Sequence, residues 1–353
     1  MAKTSKKTSK QTSKTAKRGR TAPKLAKGKL AKTIPAKATP AKAALAKVSV
    51  GELITLLDFV RYAVSRFVEA KLAFAHGTTD PVAEAAFLVC EALHLHPDQF
   101  DIFAKARVTA AEAKLILDLI DRRVTTRKPA AYLVNKIYMR GLPFHVDERV
   151  IVPRSFIGEL LDSHFDGEGH SLIDDPAAVT RVLDLCTGSG CLAILAARHF
   201  PNAEVDAIDI SKGALEVAAR NIGEHGLADR ITLHHGDLFA PLGASLDISL
   251  DEARYDLIIS NPPYVDAEGM AALPPECRAE PKLAFDGGID GLDVVRRILR
   301  DAPDHLTAGG GLLCEIGRGR EQVEEAFPEL PLLWLDTEDS EGEVFWVAAA
   351  DLG

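Results

Sequence analysis

From residue 181 to the end of the chain, short apolar runs alternate with amphipathic ones, and no other feature constrains the fold as strongly. The strand-like runs are 181–185, 204–210, 231–235, 255–260, 311–316, 332–336 and 343–349. Helix-like runs fall between several of them, at 190–199, 213–225, 292–306 and 319–327. Parallel strands need a crossover long enough to hold a helix, so this alternation predicts an α/β fold with a mostly parallel, doubly wound sheet. Only a short turn, Glu338 to Gly342, separates the last two strands. No helix fits there, and the final strand of the seven is predicted to enter antiparallel.

The preceding part of the chain has a different period. Leu53, Leu56, Leu57, Val60, Val64, Phe67 and Val68 recur at helical steps and predict one apolar stripe. A second helix opens at Asp80-Pro81, a capping residue followed by proline, and a third at Thr109-Ala110-Ala111-Glu112, a capping box. Residues 48–130 therefore read as a small helical domain. Over 131–153, Val134, Ile137, Tyr138, Phe144, Val146, Val150, Ile151 and Val152 flank Arg140-Gly141-Leu142-Pro143, which predicts a β-hairpin or paired strands from Tyr132 to Arg154. The α/β domain then occupies 154–353.

Charge separates a further segment. Residues 1–47 hold 13 Lys and 2 Arg and no acidic residue, whereas the remaining 27 basic residues face all 51 acidic ones, a net −24. A Lys-rich stretch with almost no large apolar residue cannot offset its ordering entropy, so 1–47 is expected to be a disordered tail. Such a tail is a solubilising appendage or makes nonspecific contact with RNA. The five cysteines are scattered and form no C-x-x-C pair, which argues against a disulfide framework or zinc site and fits the cytoplasm. His234 and His235 are adjacent on a predicted strand and should point to opposite faces, so no metal is expected there. No run approaches the length of a membrane span.

Two constellations carry chemistry. The first predicted strand ends in Asp184-Leu185-Cys186-Thr187-Gly188-Ser189-Gly190. Glycines at a strand-to-helix turn let backbone approach a ligand, and the next helix presents unpaired N–H groups. The second strand ends near Asp209, whose carboxylate suits ribose hydroxyls. The turn alone leaves the cofactor open, because Gly188-x-Gly190-x-x-Ala193 with Asp209 about twenty residues on also satisfies a dinucleotide fingerprint.

Asn261-Pro262-Pro263-Tyr264, at the end of run 255–260, narrows the choice. Consecutive prolines fix φ and remove backbone donors, leaving carbonyls free to accept. The Asn261 side-chain carbonyl and the Pro262 backbone carbonyl can together accept from one planar NH₂ group, against which Tyr264 can stack. An amide or exocyclic amine is a poor nucleophile because its lone pair is delocalised. Accepting both its protons returns electron density to the nitrogen and aims it at a methyl group held nearby.

Asp184 to Gly190 together with Asn261 to Tyr264 resembles the HemK-type protein-glutamine methyltransferases, and the resemblance covers about residues 50–350. It implies a class I (Rossmann-like) methyltransferase preceded by a helical domain and a hairpin, with S-adenosyl-L-methionine as cofactor. Tyr132-Leu133-Val134-Asn135-Lys136, Val146-Asp147-Glu148-Arg149-Val150 and Val152-Pro153-Arg154-Ser155-Phe156-Ile157-Gly158-Glu159 resemble the PrmB branch, which modifies large-ribosomal-subunit protein 3. The sister branch, acting on release factors, carries an Arg-Pro-Glu-Thr-Glu-like run there and Gly where Cys186 stands. Carried over, the cofactor site falls on Asp184, Cys186, Thr187, Gly188, Ser189, Gly190, Asp209, Asp237, Leu238 and Asn261. The catalytic amide clamp falls on Asn261, Pro262 and Tyr264, and substrate contact extends to Pro263 and to Glu280, expected near the mouth. No family role transfers to the Lys-rich tail. Methylation of a release factor, methylation of adenine in DNA or RNA, and an RNA-binding assembly factor with a vestigial site are the competing readings.

Overall fold

The structure is a computed structural model that describes residues 51–167, 169, 171–173, 175–242 and 254–353. The expected tail over 1–47 lies outside the described residues.

The helical part begins as the capping residues direct. Helix α1 (Leu56–Glu69) opens at a Thr55–Asp58 capping box, α2 (Pro81–Ala92) at the Asp80 cap with Pro81 in its first turn, and α4 (Ala110–Thr126) at a Thr109–Glu112 capping box. Short α3 (Phe100–Phe103) lies between the last two. The buried stripe of α1 is Leu56, Phe59, Val60, Ala63 and Phe67, whereas Leu57 and Val68 face solvent. Those two were expected inside. They sit one position off the stripe, where a hydrophobic residue covers the flank of the helix without entering the core.

The hairpin is shorter than expected. Strands β1 (Ile137–Met139) and β2 (Leu142–Phe144) pair antiparallel around Arg140-Gly141, but Tyr132 and Val134 belong to a helical turn, α5 (Ala130–Val134). Val146, Val150 and Val152 are buried without forming a strand. Their β-branched side chains reflected burial, which propensity cannot distinguish from strand pairing.

The sheet contains β3 (Arg181–Leu185), β4 (Glu204–Asp209), β5 (Ile231–His235), β6 (Tyr255–Ser260), β7 (Leu306–Glu315), β8 (Leu333–Leu335) and β9 (Val344–Ala348). Their order is β5-β4-β3-β6-β7-β9-β8, with β9 antiparallel to both its neighbours and the pairs from β5 to β7 parallel. One apolar cluster joins α6 (Ile157–His164), α7 (Cys191–His199) and α8 (Lys212–Glu224) to one face of the sheet. A second cluster packs α10 (Asp293–Asp301) and α11 (Arg320–Ala326) on the other, after short α9 (Ala267–Ala272). The helix expected over 292–306 ends at Asp301 and tightens into a 3₁₀ turn, because Pro303 lacks the donor needed to continue it. From β3 the chain winds outward through β4 and β5, then returns to place β6 on the other side of β3. That reversal makes the carboxyl ends of β3 and β6 the switch point where ligands of such sheets bind.

Candidate active site

The turn after β3 is held from below. Asp184 is fully buried, and its Oδ2 accepts from Thr187 Oγ1 at 2.5 Å and Ala193 N at 3.0 Å. Burial pushes its carboxyl up to about 7. Asp184 braces the turn rather than forming a cavity wall. The two glycines have different jobs. At Gly188 (φ +56) a Cβ would meet only the Cys186 carbonyl oxygen at 4.0 Å, so this is the point at which backbone faces open space. At Gly190 (φ +78) a Cβ would lie 3.1 Å from that of Ala218, so this glycine lets α7 and α8 approach each other.

Asp209, at the end of β4, accepts from Gly188 N through Oδ2 and from Ser211 N through Oδ1, both at 2.8 Å. An ionised carboxylate has about four lone-pair directions, so two remain for a diol. Beyond it, Asp237 pairs with Arg297 on α10 at 2.8 Å, and Leu238 is buried with φ +50. Arg297 was not foreseen, because nothing in its local sequence distinguishes it from other helix-surface arginines.

The end of β6 lies beside that of β3, and Ser260 Oγ donates to Leu185 O at 2.9 Å. Asn261, Pro263 and Tyr264 follow directly. Among the described residues the Asn261 side-chain amide has no hydrogen-bond partner. The Tyr264 hydroxyl donates to Glu315 Oε1 at 3.4 Å, and its ring lies so close to Gly317 that a Cβ there would come within 2.6 Å of it.

These two groups of residues meet in one cavity of about 500 Å³. Its walls include Cys186 to Ser189, Asp209, Asp237 and Leu238 at one end, and Asn261, Pro263 and Tyr264 at the other. Asp184, Gly190, Pro262 and Glu280 are not among its lining residues. The size suits a small-molecule site, and Gly188 and Asp209 fit a nucleoside cofactor.

Glu280 departs most from its expected place at the mouth. It is buried; its Oε1 accepts from Val152 N at 2.9 Å and Arg154 at 3.0 Å, and its Oε2 pairs with His76 at 3.0 Å. Glu276 likewise accepts from Ala73 N and pairs with Arg127. The segment Pro275–Ala279 is thus strapped to the helical part, and Ala75 of that part reaches the cavity wall. His76, Cys277 and Glu280 could geometrically surround a metal ion, but a cation there would sit beside the Arg154 guanidinium and displace existing donors. The cluster is better explained as a brace. His234 and His235 diverge as expected, to Asp206 and to Ile210 O.

The Methyltransferase small domain model matches residues 166–273. A ribosomal protein uL3 glutamine methyltransferase from Bradyrhizobium diazoefficiens is 77% identical over 354 residues, covering 100% of both chains. The chain belongs to the uL3 glutamine methyltransferase family. Other members, from Bordetella pertussis and Burkholderia pseudomallei, are 53% and 52% identical, covering 85% and 84% of this chain and 97% and 95% of their own. Membership resolves what the glycine turn left open. In a family of methyltransferases the cofactor is S-adenosylmethionine, and Asp209 is not evidence for a dinucleotide. No helix among the described residues is long and apolar enough to cross a membrane.

Proposed function

We infer that this chain transfers the methyl group of S-adenosylmethionine to the side-chain amide nitrogen of a glutamine in ribosomal protein uL3, giving N5-methylglutamine. The observation that carries this reading is the unpartnered amide of Asn261, on the same cavity as Gly188 and Asp209. Asn261 is half-buried and lines the cavity, so its amide is left free to bond a ligand there.

The bound cofactor supplies an electrophilic methyl group on a sulfonium. Thr187 to Ser189 would hold its amino-acid end, Asp209 its ribose hydroxyls, and Asp237 with Leu238 would border the base. At the other end, the Asn261 side-chain oxygen would accept an amide proton of the glutamine and Tyr264 would cover the face of the planar group; Pro262 does not line the cavity, so the clamp rests on Asn261. An amide held in this way, with its lone pair returned to nitrogen, would be the nucleophile toward the methyl group that the cofactor would supply. The thioether left by the cofactor would be the leaving group, and the proton lost from the methylated nitrogen would pass to solvent. The helical segment 48–130 serves as the substrate-recognition domain, a role supported by Ala75 in the cavity wall. The Lys-rich segment 1–47 adds nonspecific RNA contact through its charge.

Single-turnover transfer of labelled methyl to purified uL3 tests the reading. Asn261→Ala should lose about a hundredfold or more in turnover, with cofactor affinity changed by less than about tenfold. Near-normal rates in the folded variant, or equal labelling of uL3 carrying Glu at the target position, would sink it.

A further inference from the structure

One buried acid at the acceptor end of the cavity has no part in the transfer just described. Glu315 ends β7, the strand beside β6, and is 1% exposed. Its Oε2 accepts from Ser155 Oγ at 2.6 Å and from Phe156 N at 2.9 Å, while Oε1 accepts from the Tyr264 hydroxyl. Ser155 and Tyr264 both line the cavity. Phe156 is the residue before α6, so the carboxylate also lies at the N-terminus of that helix, where negative charge is favoured. A single side chain therefore ties together two separately contributed walls of the acceptor end.

We propose that Glu315 is a positioning residue for methyl transfer, which as a carboxylate fixes Tyr264 and the Ser155–Phe156 turn around the substrate amide. The proposal rests on the reading that Tyr264 covers that amide. All three donors require an acceptor, and a protonated carboxyl gives up part of its accepting capacity. Among the described residues no cation is hydrogen-bonded or ion-paired to Glu315. Glu343, before β9, repels its charge, Tyr264 is itself held protonated by burial, and the neighbouring Arg154 is engaged by Glu280. Burial, with Glu343 adding to it, raises the Glu315 carboxyl to about 7. Its folded-state value lies above its ordinary one, so the carboxylate form is gained as pH rises through neutrality. Transfer should rise with it.

The full chain and uL3 suffice for the test, with turnover followed from pH 6 to 8 at saturating cofactor. The expected result for the parent protein is a rise of about tenfold, since the ionised fraction of a group titrating near 7 changes by that factor. Glu315→Gln should lose about tenfold or more at pH 8, show a flat profile, and keep cofactor affinity within about threefold. Tyr264→Phe, which removes only one hydroxyl, should lose part of the rise. The ring resonances of ¹³C-labelled Tyr264 give a readout independent of transfer. They should shift with a midpoint near 7 in the parent protein and not in Glu315→Gln. A Glu315→Gln variant that keeps the pH-dependent rise, or a Tyr264 resonance that ignores Glu315, overturns the proposal. If the parent protein fails to label uL3, the functional reading falls, while the resonance experiment still decides whether Glu315 positions Tyr264.

Discussion

Cys186 sits at φ +61, in the left-handed region that costs a side chain energy and glycine little. A glycine would take up this conformation without that cost, so the backbone shape is the requirement and the side chain is secondary. Asp209 is constrained differently. Its carboxylate holds Gly188 N and Ser211 N and still faces the cavity. Asp209→Ala should weaken S-adenosylmethionine by about 2–4 kcal/mol, because hydrogen bonds to a charged acceptor are lost. Calorimetric titration reads this directly, and unchanged affinity in a folded variant removes Asp209 from the site. At this scale the sequence was most legible where a residue type has few uses, as with glycine in a turn or Asn before two prolines. It was least legible for Glu280 and Asp184. Carboxylates serve equally as ligands or as buried braces, and only their surroundings separate the two.

Between elements, the cofactor turn depends on a residue that local pattern could not identify. Asn221 on α8 is fully buried; its Nδ2 donates to Ser189 O at 2.8 Å and His145 O at 3.0 Å, and its Oδ1 accepts from His145 N at 2.7 Å. One side chain thereby joins the turn to the segment after β2. Asn221→Leu keeps the volume but leaves buried backbone groups unpaired. It should cost about 2–4 kcal/mol of stability, since each orphaned group carries a desolvation penalty. A urea-unfolding midpoint unchanged from the parent protein would show that the bridge contributes nothing. Helix starts were legible because Thr55, Asp80 and Thr109 satisfy backbone donors locally. The limits of the hairpin were not, because the valines of 146–152 answer to a core assembled from distant segments.

For the molecule as a whole, the helical part and the catalytic part meet through charged groups buried at their junction. Glu276 and Glu280 bind Ala73, Arg127, His76, Val152 and Arg154. The basic tail contributes none of these residues. Deleting residues 1–47 should therefore leave turnover on isolated uL3 within about twofold, because no group assigned to the reaction is lost. Affinity for RNA should fall, and its dependence on salt should flatten as phosphate contacts disappear. Methyl transfer before and after truncation, with RNA binding measured at several salt concentrations, checks both. Loss of turnover on isolated uL3 would show that the tail takes part in recognising the protein substrate.

The order of strands and helices, the antiparallel last strand, the glycine turn and the Asn-Pro-Pro-Tyr turn are all determined locally, by periodicity, connection length and the special geometry of Gly and Pro. These properties act over a few residues and survive in any window of the chain. The pairing of Asp237 with Arg297, the strap from Glu280 to His76 and the hold of Glu315 on Tyr264 span gaps of tens to hundreds of residues. They exist only because the fold brings distant segments together, and the neighbours it supplies give each carboxylate its role.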